Sequence, residues 1–319
     1  MPLNLNKYCH RKCLFNITLA ILAISSIFLF LGGPDYDSPR SFKAFWNMGH
    51  IFYFALSAWL FGKWNRIAMQ SWPKQWLVVL SLTLLAGILI EILQYGTERA
   101  PDIDDVIRDL TGSFLFLSFS RLYSINIIPV WKYLLRIIAI FLVLIQLVPL
   151  AISLTDEIIA RQQFPILSNF ETPFEKERWS GNDGIKIKLM PLLSSNHILE
   201  VPLTTGRYSG VNLKYFPGDW KGYQTLTISI YNPLAEPLPV VCRIHDQQHQ
   251  QGEQRYKDRF NRKYLIFQGW NNIEIKLSDV ISAPKHRKMD LKNIRGLGIF
   301  VMSLKKPQLI YLDDLQLSR

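Results

Sequence analysis

The stretch QWLVVLSLTLLAGILIEILQ, residues 75–94, decides the fold. From Gln75 to Ile90 it carries no charge, and its apolar pattern runs on past Glu91. About 20 apolar residues in a helix cross the hydrocarbon core of a bilayer. The reading extends outward to similar runs. Leu14–Leu31, Ala44–Gly62 and Ile137–Thr155 are each uncharged. Leu110–Ser120 is apolar but shorter, and Arg121 interrupts it. Lipid-facing backbone must satisfy its own hydrogen bonds, so each run is predicted as a helix. The prediction is a multi-pass α-helical membrane bundle of about five spans: 14–32, 44–62, 75–95, 105–123 and 133–155.

The rest of the chain has a different composition. Of 319 residues, 49% are hydrophobic and 19% charged, and mean hydropathy is +0.10. Residues 1–154 hold 21 charged residues; residues 155–319 hold 40. A disordered chain, a collagen-like chain and a disulfide scaffold are excluded, the last because there are only three cysteines. Two domains are expected, a transmembrane one over 1–155 and a water-soluble one over 164–319.

Lysine and arginine in short loops set orientation. Nine of them (Lys7, Arg11, Lys12, Lys63, Arg66, Lys74, Arg121, Lys132, Arg136) fall on one side of five spans, and Arg40, Lys43, Arg99 and Arg108 on the other. The N-terminus is therefore expected in the cytoplasm and the soluble domain outside. That topology gathers polar groups at one depth. His50 enters with the second run. Glu91 and Gln94 close the third, one helical turn apart. Asp105, Asp109 and Gly112 share a face at i, i+4 and i+7. Ionisable groups inside spans are costly and mark functional sites by default. The set reads either as a reactive site, with Glu91 or His50 as acid/base and Arg99 as an anion clamp, or as hydrogen-bonded glue between helices.

The order His50, Glu91-x-x-Gln94, Arg99, Asp105, Asp109, Gly112 resembles the VanZ-like membrane family over about residues 40–125. Two positions depart from its pattern: Asn47 stands where a Lys is usual, and Asp109 where an Asn is usual. The resemblance implies a bacterial cell (inner) membrane protein of the envelope and an association with reduced glycopeptide susceptibility.

From Phe164 the hydrophobic period becomes two. Thr225–Ile230 and Asn272–Leu277 alternate strictly. Further strands are predicted at His197–Leu203, Val211–Phe216, Leu238–Ile244, Lys263–Gln268, Gly298–Ser303 and Gln308–Leu317. Many short strands with turn signals such as Pro217-Gly218 predict an all-β antiparallel sandwich or jelly roll. Asn169-Phe-Glu171, Asp219-Trp220, Gly269-Trp270 and Tyr311-Leu-Asp-Asp314 resemble galactose-binding-like carbohydrate-binding modules. That resemblance implies a structural calcium on Glu171 and Asp314, with no other cofactor. Sugar sites need aromatic faces and planar polar groups, which points to Trp220, Trp270, Arg243, His245 and Asp246. The basic loop around Arg243 and Arg259 favours an acidic glycan or a lipid headgroup. Expected partners are the membrane and an envelope glycan or lipid-linked saccharide, with no nucleic acid. Cys242 is expected as a buried thiol.

Overall fold

The computed structural model describes residues 3–35, 38–94, 102–120, 127–181, 183–189 and 196–319, with side chains from Cys13 onward. The chain divides into two compact units, Met1–Ala151 and Ile152–Arg319.

The first unit is helical. Its elements are α1 (Leu3–Phe30), α2 (Arg40–Asn47), α3 (Gly49–Phe61), the single turn α4 (Asn65–Ala68), α5 (Trp72–Gln94), α6 (Ile103–Phe119) and α7 (Pro129–Gln163), the last of which ends in the second unit. Among the described residues, three helices are long and apolar enough to cross a membrane: Cys13–Phe30 of α1, all of α5 and α7. This differs from the expected five. The second predicted span is broken by a turn at Met48, between α2 and α3. The fourth is a 17-residue helix with Asp104 and Asp105 in its first turn. Uncharged runs are visible in sequence; a turn that splits one is not.

Large apolar side chains stand exposed along the long helices, such as Leu85 and Ile92 on α5 and Ile137 and Phe141 on α7. In a bilayer they would face lipid, where exposure costs nothing. The interior is built around α6. It runs parallel to α3, through Gly112 against Ile51 and Ser113 bonded to the Phe54 carbonyl at 3.1 Å. It runs antiparallel to α5, through Thr83 and Ser113, whose hydroxyls are 2.7 Å apart. One end of this trio is apolar, with Ala58, Trp76, Val79 and Leu117 packed together. The polar residues lie at the other end.

The second unit is a sandwich of two antiparallel sheets. Its strands are β1 (Ile166–Ser168), β2 (Trp179–Gly181), β3 (Lys186–Leu189), β4 (His197–Leu203), β5 (Tyr208–Leu213), β6 (Thr225–Asn232), β7 (Leu238–Asp246), β8 (Phe260–Ile266), β9 (Gly269–Lys276), β10 (Ile294–Met302) and β11 (Gln308–Ser318). Short helices α8 (Gln247–Gln251) and α9 (Leu277–Ser282) follow β7 and β9. One sheet has the order β3-β4-β11-β6-β9, with β1 also on β11; the other has the order β2-β5-β10-β7-β8. Inward residues from both, including Ile228, Ile230 and Leu312 against Val240, Ile244 and Ile299, form one core. Each such side chain stabilises the fold by about 1.5–3 kcal/mol through apolar burial. Cys242 is buried there, as expected, and burial pushes its thiol up to about 12.

The unit opens with a buried ion pair. Arg178 and Asp156 are both inaccessible, with Nη2–Oδ1 at 2.8 Å and Nε–Oδ1 at 3.0 Å. Arg178 also donates to the Leu167 carbonyl at 3.1 Å. The capping residue Glu175 accepts from Ser168 Oγ and the Asn169 and Phe170 amides at 2.7–3.0 Å.

Candidate functional site

The polar end of α3, α5 and α6 brings together four of the expected residues. His50, one residue into α3, places Nδ1 2.8 Å from Asp109 Oδ1, where its N–H donates to the carboxylate. Its Nε2 lies 3.6 Å from Asp105 Oδ2. Glu91, near the end of α5, accepts the Asp102 amide at 2.7 Å through Oε2. Two carboxylate oxygens, Glu91 Oε1 and Asp109 Oδ2, are buried with no hydrogen-bond partner among the described residues. Buried carboxylate oxygens without partners are costly, so this end of the bundle holds stored electrostatic cost.

Glycine makes that arrangement possible. A Cβ on Gly87 would sit 2.6 Å from Asp109 Oδ2, so the bare backbone of α5 gives the carboxylate its room. A Cβ on Gly112 would sit 2.2 Å from the Ile51 carbonyl oxygen, so α3 and α6 cross where only glycine fits. Gln94 faces elsewhere in the unit, donating to the Leu29 carbonyl of α1 at 2.7 Å.

A second site lies on the outer face of the sheet β2-β5-β10-β7-β8. A groove of about 610 Å³ crosses all five strands. Tyr208, Tyr256 and Phe300 give it aromatic surface, and Arg243, Arg259 and Asn261 give it polar groups. Strand register explains one of these. Arg243 on β7, Gly298 on β10 and Asn212 on β5 are lateral partners. Because Gly298 has no side chain, Arg243 reaches across β10 and donates to Asn212 Oδ1 at 2.6 Å. A Cβ at Gly298 would come within 2.6 Å of that same oxygen. His245, also on β7, has its Nε2 2.9 Å from Gln250 Oε1. Burial first, and then the Arg243 charge, hold the His245 pKa down to about 4, so it is neutral at pH 7.

Residues 10–124 match the VanZ/LLP1 family. This stretch of the chain is a VanZ-like domain. No curated protein matches the chain significantly. Among solved structures, the family 11 carbohydrate-binding module from Clostridium thermocellum, in complex with a β-1,3-1,4-mixed-linked tetrasaccharide, is similar at 17% identity. The likeness covers 48% of this chain and 94% of that one, with a TM-score of 0.39. A non-crystalline cellulose specific module, CBM28, is 10% identical over 49% of this chain and 93% of its own, with a TM-score of 0.37. An exo-β-agarase is similar over 24% of its length at 15% identity, with a TM-score of 0.38.

In the VanZ-like domain, the expected anion clamp Arg99 lies outside the described residues. Arg108 is the cation beside the cluster: it is ion-paired with Asp105 and lies 3.8 Å from Asp102. Neither Arg108 nor Asp102 was singled out in sequence, although Arg108 sits three residues after Asp105, a spacing that places both on one face. In the sandwich, two expectations are corrected. Trp220 is wholly buried, with Nε1 donating to the Pro217 carbonyl at 3.2 Å, so it has no face for a sugar. Asp246 is buried beneath Arg287 (Nη2–Oδ1 2.8 Å) and accepts the His249 and Asp290 amides, so it braces a loop. Burial alone would raise its pKa, but Arg287 and the two amides bring it below the usual carboxylate range. Trp270 is part-exposed on the opposite sheet from the groove, edge-on to Tyr231 at 5.3 Å.

Glu171 and Asp314, the expected calcium pair, lie just after β1 and within β11. Glu171 spends its two oxygens on the amide and ring of His197, at 3.0 and 3.3 Å. Asp314 sits in a bulge of β11 with φ 45°, and its amide donates to Asp313. Among the described residues no group of three or more His, Cys, Asp or Glu side chains is placed to hold a metal. Asp313 is the buried acid of that region. Burial first, then the neighbouring Asp314 charge, raise its pKa to about 6.

Proposed function

We propose that this chain is a bacterial envelope membrane protein in which the VanZ-like domain carries a polar site at one membrane face and the sandwich binds saccharide. The observation that supports it most is the meeting of His50, Glu91, Asp105 and Asp109 with two buried carboxylate oxygens left unpartnered. Packing alone does not call for unpaired acids in a hydrophobic bundle. In this reading α3 and α6 cross the bilayer beside α5 as short, protein-lined helices, giving five passes. The N-terminus is cytoplasmic and the sandwich extracytoplasmic, in the inner membrane. Crossing by α1, α5 and α7 alone is also odd in number and puts the sandwich on the same side. A reporter fusion after Gln70, between α3 and α5, separates the cases: five passes place it in the cytoplasm and three place it outside, with Arg319 outside in both.

The saccharide reading rests on the groove, where aromatic rings lie beside planar hydrogen-bonding side chains. Such surfaces stack on sugar rings and bond their hydroxyls. The family association extends the proposal to glycopeptide susceptibility. Expression in a susceptible host should raise the teicoplanin concentration needed to stop growth, and deletion should lower it. An unchanged threshold in both would count against that part.

One contact supports a second reading, a membrane enzyme acting on a lipid-linked or envelope substrate. The bond from His50 Nδ1 to Asp109 orients the ring and directs Nε2 toward Asp105. That is the arrangement by which a carboxylate steers an imidazole acting as acid/base. Full function in a normally expressed Glu91→Gln, His50→Gln double variant would rule it out.

A further inference from the structure

We propose that the pocket between the edge strand β8 and helix α9 binds a phosphate-type dianion. This goes beyond the saccharide reading and does not depend on it.

β8 closes one end of its sheet, and a pocket of about 430 Å³ lies along it, against α9 and the loop that follows α9. That volume is within the roughly 300–1,000 Å³ of small-molecule sites. Its walls are tied at two points. The Lys285 amide donates to the Lys257 carbonyl at 3.0 Å, which joins the loop after α9 to the turn before β8. Arg262 on β8 is ion-paired with Asp279 on α9 at 2.8 Å. The charges lining the pocket are Lys257, Arg259, Arg262 and Lys285 against Asp279, the one acid there among the described residues. Arg262 and Asp279 neutralise each other. Lys257, Arg259 and Lys285 form no ion pair among the described residues, so three positive charges are left over.

Arg259 is the unsatisfied group. Its Nε is buried with no hydrogen-bond partner, and its guanidinium makes no hydrogen bond to the described residues. The guanidinium carbon lies over Tyr256, 5.7 Å from the ring centroid. Packing of this kind holds the planar fork without using its donors. Burial pulls the Arg259 pKa below its ordinary value, with no carboxylate to oppose it. The Arg262 pKa is raised, first by the bond to Asp279. The surplus charge fits a tetrahedral dianion. A carboxylate has two oxygens, and the fork alone occupies both. A phosphate or sulfate has further oxygens for the two lysines, which act as point charges.

The test uses the full chain in a polyoxyethylene detergent, which carries neither phosphate nor sugar. It is titrated by calorimetry at low salt and slightly alkaline pH, where phosphate is mostly dianionic. The probes are inorganic phosphate, sulfate and acetate. Phosphate and sulfate should bind about tenfold tighter than acetate, one added charge-assisted contact being about a factor of ten. Added chloride should weaken them. Arg259→Gln should weaken all three anions about tenfold. Arg259 also borders the groove, so the lysines, which do not, isolate the pocket. The double variant Lys257→Gln, Lys285→Gln should lose most of the preference for phosphate over acetate. Both lysines are exposed, so its melting temperature without anion should hold. Acetate binding as tightly as phosphate would overturn the proposal. So would equal phosphate binding by the wild type and the double variant, or no binding of phosphate and sulfate at all. Two further probes separate the sources of such a group: glycerol 3-phosphate for a soluble ester and dioctanoyl phosphatidic acid for a lipid headgroup. Tighter binding of the lipid, lost in the double variant, assigns the pocket to a headgroup; equal binding of the two assigns it to a soluble phosphate.

Discussion

The two units treat buried carboxylates in opposite ways. In the sandwich, Arg178 and Asp156 meet through several hydrogen bonds, and Asp246 is held by Arg287 and two amides. These groups are saturated. In the helical unit, Glu91 and Asp109 each keep one buried oxygen with no hydrogen-bond partner among the described residues. Saturated buried charge holds a fold in register; unsaturated buried charge waits for something else. The contrast predicts that substitutions in the two regions separate stability from function.

The largest effect on stability is expected at Arg178. Removing one member of a buried ion pair strands the other, at about 3–5 kcal/mol. Arg178→Met should lower the unfolding free energy of the sandwich by that amount, read from the shift in denaturant midpoint followed by tryptophan fluorescence, since Trp179 packs beside Phe170 in the same corner. The double variant Asp156→Leu, Arg178→Met should recover much of the loss, because no charge is then left buried. If the single and double variants lose equally, the pair matters for its shape and not for its charge.

Next comes Gly112→Ala. The added methyl would meet the Ile51 carbonyl, so α3 and α6 must move apart. Overpacking of this kind costs about 1–3 kcal/mol. It should also shift His50 away from Asp109, so thermal stability and any effect of the chain on teicoplanin susceptibility should fall together. Unchanged stability would mean that the crossing is looser than the backbone distance indicates.

A third effect tests whether the sandwich has an unsaturated acid of its own. The Asp313 pKa stands at about 6, above its ordinary value of 3.8. The folded state therefore favours the protonated form. Its stabilising contribution is complete below about pH 4 and is lost as pH rises through about 6, on the order of 2 kcal/mol at most. Asp313→Asn should flatten the melting temperature over that window and raise it at pH 7–8. A wild-type profile with no slope between pH 4 and 6 would remove Asp313 from the account.

The sequence disclosed these regions unevenly, for physical reasons. Alternation in Thr225–Ile230 reports one buried face directly, and β6 does bury every second residue. β4 matched its predicted bounds, His197–Leu203. β1, β2 and β3 are three or four residues long, too short to show a period, and exist because longer strands pair with them. Hydropathy marked the apolar runs but not the turn at Met48. Helical spacing placed His50, Glu91, Asp105 and Asp109 at one end of the bundle, because depth follows from topology. The groove was only partly legible. Arg243 stood out by charge, but Gly298 and Asn212 acquire meaning only when three strands are in register. Trp220 shows the limit of composition: an indole in a sandwich serves core or surface equally well, and its count does not say which.

The smallest expected effect on stability carries most of the argument about function. Asp109→Asn keeps an oxygen to accept from His50 Nδ1 and removes a charge whose second oxygen has no partner. Asparagine also stands at this position in the family pattern that the VanZ-like domain resembles. Deleting an unmatched buried charge relieves desolvation, so stability should change by less than about 1 kcal/mol or rise slightly. If His50 works as an acid/base, the neutral amide no longer stabilises a protonated ring, and any activity that depends on it should fall while expression and melting temperature hold. If Asp109 is glue, the reverse follows: stability falls and susceptibility tracks the amount of folded protein. Measuring both quantities on Asp109→Asn, with Asp109→Leu as the variant that removes the hydrogen bond as well, distinguishes a site that stores charge for use from one that merely tolerates it.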